Sequence, residues 1–183
     1  MSQPCVISSP FQPGAGLGKP RHLPPIVFAF PQADAPAFAE LRERFLKIYR
    51  GRLAVETRPC QGVLDALARL ELNGIARGVV TNKPSWLTEP LLEQFALRDR
   101  AGVIVSGDTL AERKPHPAPL QHAADKLGFM PAECIYIGDA ERDVLAAQAA
   151  GMQVLVALFG YILADERPRQ WPANGWLDSL GDE

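Results

Sequence analysis

The chain is 183 residues long, 47% hydrophobic, with a formal net charge of −2 and a pI near 5.9. That length suits one domain with at most a small appendage, the balanced charge lacks the footprint of a nucleic-acid binder, and no apolar run is long enough for a transmembrane helix. Cys5, Cys60 and Cys134 stand far apart, which argues against a disulfide framework or zinc site and for a reducing, cytoplasmic setting.

Residues 1–25 carry Pro4, Pro10, Pro13, Pro20, Pro24 and Pro25 with Gly14, Gly16 and Gly18, a composition that predicts irregular chain rather than a helix or a central strand. No charged n-region and continuous apolar h-region are present, so no secretion signal is expected. Gly14–Lys19 has the residues of a phosphate loop but no preceding strand and no Lys-Ser/Thr ending. Ile26 to Phe30 reads as a short strand or a helix start cut off by Pro31. A helix is expected from Ala35 to Arg50, with Phe38, Leu41, Phe45 and Tyr49 on one face and Gly51 closing it. The next, Gln61 to Asn73, turns Val63, Leu64, Leu67 and Leu70 inward and stops at Gly74.

Ile75 to Val80 reads as a strand that breaks at Thr81-Asn82-Lys83-Pro84, followed by a helix from Ser85 to Leu97. Val103–Val105 is a second strand, leading to Ser106-Gly107-Asp108 and a loop with Lys114-Pro115-His116-Pro117. A helix then runs to Leu127, with Pro117 in its first turn. Strand Cys134–Ile137, helix Glu141–Ala150 and strand Val154–Ala157 complete the series. The tail is expected to be irregular apart from a short element near Leu177–Leu180. Strands and helices alternate from residue 59 onward, which predicts an α/β fold: a Rossmann-like parallel sheet with helices on both faces.

Chemistry concentrates in three strand-end loops, which a parallel sheet brings to one edge, where ligands bind in open α/β folds. Thr81 and Asn82 follow one strand, Lys114 comes after the next, and Asp139 and Asp143 follow Cys134–Ile137. Each has a plain structural use: Thr81-Asn82 as an Asx-type turn, Lys114 as a solvated lysine, Asp139 as an N-cap with Asp143 in the first turn. Together they suit a phosphoryl group beside a metal. Thr81 and Asn82 can donate hydrogen bonds to its oxygens, Lys114 can neutralise charge, and the aspartates can hold Mg²⁺. His22, His116 and His122 suggest no metal cluster.

Thr81-Asn82-Lys83-Pro84, Lys114-Pro115-His116-Pro117 and Gly138-Asp139-Ala140-Glu141-Arg142-Asp143 resemble the second, third and fourth motifs of the haloacid dehalogenase superfamily, nearest to phosphoglycolate phosphatase-type enzymes. Phe159-Gly160-Tyr161-Ile162 and Arg167-Pro168-Arg169-Gln170-Trp171 also resemble the N-acetylmuramic acid 6-phosphate phosphatase branch. The resemblance covers about Asp34 to the C-terminus. It implies Mg²⁺-dependent phosphoryl transfer to an aspartate and hydrolysis of a small phosphorylated metabolite. Thr81 and Asn82 would bind the phosphoryl group, Lys114 would stabilise it and position the nucleophile, and Asp139 and Asp143 would serve the metal. It also implies a helical cap, of which Ala35–Arg50 would be the remnant. The expected division is therefore 1–33 irregular, 34–58 residual cap and 59–183 core.

The family's first motif, Asp-x-Asp-Gly-Thr, is absent: no acidic residue precedes Asp34. Ile26–Phe30 is the strand candidate upstream, and it would put Ala29 and Pro31 where the two aspartates belong. Without a substitute for that mid-sheet strand, its neighbours would bury unpaired backbone groups. A chain lacking the nucleophile is expected to be nearly inactive, or to be an incomplete form of a longer protein. The competing expectations are a non-catalytic phosphate-binding module and another doubly wound domain, such as a receiver-like or nucleotide-binding one; the oligomeric state is open.

Overall fold

The computed structural model describes residues 5–8, 11–12, 35–51 and 58–180. They divide into two compact units, one of residues 1–12 with 59–183 and the other of residues 13–58. The first holds a six-stranded sheet: β1 (Cys5–Ser8), β4 (Arg77–Val80), β5 (Val103–Val105), β6 (Cys134–Gly138), β7 (Gln153–Ala157) and β8 (Gly175–Leu177). Its order is β5-β4-β1-β6-β7-β8, and every neighbouring pair is parallel. Phe11–Gln12 (β2) and Arg58–Pro59 (β3) form a separate two-stranded sheet. The helices are α1 (Ala35–Gly51), α2 (Val63–Leu72), α3 (Ser85–Gln94), α4 (Ala118–Leu127) and α5 (Glu141–Ala150). The fold is thus α/β with a parallel sheet, as the alternation of elements predicts.

The mid-sheet position is the main departure from the sequence-based expectation. Cys5–Ser8, inside the stretch expected to be irregular, is the central strand, with Ser8 level with Val79 on one side and Ile137 on the other. Val6 N–H also bonds the Ala76 carbonyl at 2.9 Å. The prolines at 4 and 10 flank this strand rather than interrupt it, so each inner residue keeps its N–H for the ladder. Cys5-Val6-Ile7 supplies the apolar, β-branched run that a strand covered on both faces needs. Ile26–Phe30, the expected substitute, lies outside the described residues.

Alternation along the strands sorts the core into two layers. Val80, Val105, Cys5, Cys134, Tyr136, Val154 and Val156 cluster with Leu120, Ala123, Val144 and Ala147 of α4 and α5. Val79 packs with Leu92, Leu97 and Leu67, on the side of α2 and α3. Leu64 is 47% exposed, not inward as expected, because the buried stripe of α2 runs through Val63 and Leu67. The helix beginning at Ser85 ends at Gln94 rather than Leu97, with Ala96 at φ 52. The tail element is the edge strand Gly175–Leu177, slightly earlier than expected. In the second unit α1 spans 17 residues, and Ile48 on it is 58% exposed; the side chains of Phe38, Phe45 and Tyr49 lie outside the described residues.

Candidate active site

The ends of β4, β5 and β6 lie at one edge, because Val80 is level with Val105 and Val79 with Ser8, which in turn is level with Ile137. Thr81 and Asp139 are the next-but-one residues after Val79 and Ile137. The loops that follow interlock. Gly107 N–H donates to the Lys83 carbonyl at 2.8 Å, and a Cβ on Gly107 would sit 2.2 Å from the Asn82 carbonyl oxygen, so only glycine allows this approach. Asp108 then accepts from Ser85 N–H at 2.8 Å and Ser85 Oγ at 2.9 Å, capping α3 from a neighbouring loop.

Asn82 faces Lys114 rather than open solvent. Its Nδ2 donates to the Lys114 carbonyl at 2.9 Å and its Oδ1 accepts from Lys114 N–H at 3.1 Å. The side chain expected to donate to a phosphoryl group clamps the Lys114 backbone with its oxygen and one of its two N–H groups, because a primary amide matches both backbone groups at once. Thr81 Oγ1 accepts from Lys83 N–H at 3.1 Å, which leaves its hydroxyl proton to give. The Lys114–Pro115 peptide is cis.

Lys114 is only 5% exposed, so it is not a solvated loop lysine. Its ammonium donates to the Val80 carbonyl at 2.9 Å and to Tyr136 OH at 2.6 Å, and it pairs with Asp143 Oδ1 at 2.8 Å. Those three acceptors match its three N–H groups. Asp143, 2% exposed, accepts Asp139 N–H at 3.3 Å and Ala140 N–H at 3.1 Å on Oδ2. Burial pushes the Asp143 carboxyl up, but the Lys114 ammonium, Arg142 and the Asp139 N–H outweigh it and hold the group below its ordinary 3.8. Tyr136 is pushed well up, first by burial and then by the Asp143 charge, so its hydroxyl keeps its proton.

The two aspartates therefore differ. Asp143 has both oxygens committed inside the protein, as counter-ion to Lys114 and as a cap on α5, whose N-cap is Ala140 rather than Asp139. Asp139 stays at the strand end, its Oδ2 accepting Tyr161 N–H at 2.8 Å. Gly160 permits this, since a Cβ there would fall 2.3 Å from Asp139 Cβ. Among the described residues no three metal-capable side chains converge. Mg²⁺ commonly binds through one or two carboxylates, with waters and substrate phosphate completing its shell, and Asp139 fits that pattern. At the end of β1, where a nucleophile would stand, the next residues in sequence are Ser9 and Pro10.

A mainly apolar cavity of about 100 Å³ is lined by Val6, Leu67, Val79, Leu92 and Ile137 and reaches Asp139 and Gly160 at the strand end. Lys114, Tyr136 and Asp143 do not line it. The motif spacing gave no role to Tyr136 or to Gly160. The period of two in β6 could have flagged Tyr136, which shares a face with Cys134 and Gly138.

A model of the haloacid dehalogenase-like hydrolase family matches residues 27–157. A phosphoglycolate phosphatase of Xanthomonas campestris pv. campestris is 43% identical over 171 residues, covering 93% of this chain and 76% of that protein. An N-acetylmuramic acid 6-phosphate phosphatase of Pseudomonas aeruginosa is 36% identical over 145 residues, covering 79% and 64%. The crystal structure of a predicted phosphoglycolate phosphatase from Haemophilus somnus superposes with a TM-score of 0.77 at 28% identity, covering 84% of this chain and 69% of that one. Sequence over most of its length and a shared fold place this chain in the haloacid dehalogenase-like hydrolase family, beside phosphatases of phosphate monoesters.

Proposed function

We propose that the edge formed by Thr81, Lys114 and Asp139 is a phosphate-ester site and that 2-phosphoglycolate is the ligand it is built for, with N-acetylmuramic acid 6-phosphate as the alternative. The observation that supports it is the network joining Asn82 to Lys114, Lys114 to Asp143 and Asp143 to the Asp139 backbone N–H, which ties one fixed cation to the strand end that carries the Asp139 carboxylate. A fixed charge pair of that kind suits an anion with a bound metal, because preorganised charges need no rearrangement when the ligand arrives. Phosphatases of this family generally use Mg²⁺. Here Asp139 would hold it, and the cation would neutralise phosphoryl oxygens. Asn82 and Asp143 act through Lys114, and the Thr81 hydroxyl donates a hydrogen bond to a phosphoryl oxygen of the ester. Helix α1 is read as the remnant of a cap, and the chain as a cytoplasmic protein; no helix among the described residues is long and apolar enough to cross a membrane.

Binding without turnover is favoured for this chain by the lack of any acidic residue before Asp34. Removing a nucleophile costs on the order of a millionfold in a serine protease. Purified protein with Mg²⁺ and either ester should release phosphate no faster than buffer, yet bind the ester by calorimetry, and Lys114→Ala should abolish the binding. Turnover at ordinary enzyme rates would overturn the impaired-enzyme proposal, and no binding of either ester would overturn the site.

A further inference from the structure

Tyr136 is fully buried in the middle of β6, and its hydroxyl lies where three groups of the site meet. It accepts from Lys114 Nζ at 2.6 Å, donates to the Val80 carbonyl at 3.2 Å, and lies 3.5 Å from Asp143 Oδ1. Lys114 Nζ is also 5.2 Å from the centre of the Tyr136 ring. Resting on the phosphate site proposed above, we propose that Tyr136 is a positioning residue that sets where the Lys114 ammonium stands.

A lysine is a point charge on a flexible four-carbon stem. Fixing it takes contacts at both ends. Asn82 holds the backbone end, as described above. At the charged end, the Val80 carbonyl is fixed by the β-ladder and Asp143 supplies opposite charge, but these two acceptors leave one N–H unmatched. The Tyr136 hydroxyl fills that place, and it cannot swing away because its ring is buried in the core cluster on the α4–α5 face of the sheet. Its proton stays on, so the oxygen accepts a hydrogen bond from the ammonium while the hydroxyl donates one to the Val80 carbonyl. Without the hydroxyl, a buried N–H is left unpaired and the ammonium relaxes toward whatever water or carbonyl can satisfy it. A displaced charge serves a phosphoryl group poorly even when the residue is present.

The test is titration of inorganic phosphate into the wild-type chain and Tyr136→Phe by calorimetry, with thermal melts of both. Tyr136→Phe keeps the ring and its packing. We expect phosphate binding about tenfold weaker, the loss of one hydrogen bond to a charged group, at temperatures where both proteins are folded. Equal affinities would overturn the proposal, since a purely structural tyrosine would change the melt alone. Reductive methylation of lysines, followed by mass spectrometry, separates this outcome from a failure of the phosphate site itself. Lys114 should be modified several-fold faster in Tyr136→Phe, with Lys47 and Lys126 unchanged. If the wild type binds no phosphate and Lys114 still reacts faster in the variant, the site proposal falls and the positioning role stands; equal Lys114 rates remove the positioning role. Tyr136→Met, which also lacks the hydroxyl, covers the case in which the phenylalanine variant does not fold.

Discussion

Asp143 serves two structures with one carboxylate. Oδ1 pairs with Lys114 at 2.8 Å, and Oδ2 accepts the Ala140 N–H that begins α5. Removing one partner of a buried pair leaves the other charge uncompensated, which typically costs about 3–5 kcal/mol. Asp143→Ala should therefore lose that much in urea unfolding, whereas the double variant Lys114→Met/Asp143→Leu should lose clearly less, because neither charge is then stranded. The pH dependence has a definite sign. The folded-state pKa of Asp143 is depressed below 3.8, so its contribution is present above that value and is lost as pH falls through the folded pKa. Below about pH 4 the wild type should lose stability more steeply than Asp143→Asn, read from thermal melts across an acid series. At this scale the residue types were legible from the motifs, but not the directions of the side chains. Asn82 turns toward the Lys114 backbone and Asp143 toward the Lys114 ammonium because buried polar groups must find partners, and those partners lie 32 and 29 residues away in sequence.

Among the elements, β1 carries the greatest consequence for its length. Three of its four residues pair on both sides, with β4 and with β6, and Cys5 pairs with β6, so its loss would strand buried backbone groups on two strands at once. Val6→Pro removes the N–H that bonds Ala76 and sets a proline in a central strand, where it is not tolerated. We expect a drop of at least about 1–3 kcal/mol, the cost of a buried group left unpaired, with hydrogen-exchange protection falling first at Val79 and Ile137. Retained protection at both would show that β1 is dispensable. The elements from Val63 to Ala157 were readable because each is a periodic apolar segment closed by glycine, proline or a polar turn. β1 was not, because four residues between prolines carry too little pattern to outweigh the composition around them.

For the molecule as a whole, the order β5-β4-β1-β6-β7-β8 brings the loops after β4, β5 and β6 to one edge, and all of the proposed site lies in the larger unit. A ligand that binds only the folded state raises its stability by mass action, about 2.7 kcal/mol at roughly a hundred times Kd. Phosphate with Mg²⁺ should therefore raise the melting temperature of the wild type, and Asn82→Ala, which frees the Lys114 backbone, should remove most of the shift; an unchanged shift in that variant would separate Asn82 from the site. What the amino-acid sequence determined alone is the alternation that dictates a parallel α/β sheet, the three loops where polar chemistry gathers, and the lack of a carboxylate before Asp34. These are local properties of composition and period. Only the tertiary structure decided that Cys5–Ser8 completes the sheet, that Tyr136 and Asn82 hold Lys114 from its two ends, and that Asp143 faces inward while Asp139 remains at the rim. Strand neighbours and buried hydrogen bonds join residues distant along the chain, and which partners meet is settled when every buried donor and acceptor must be matched at once.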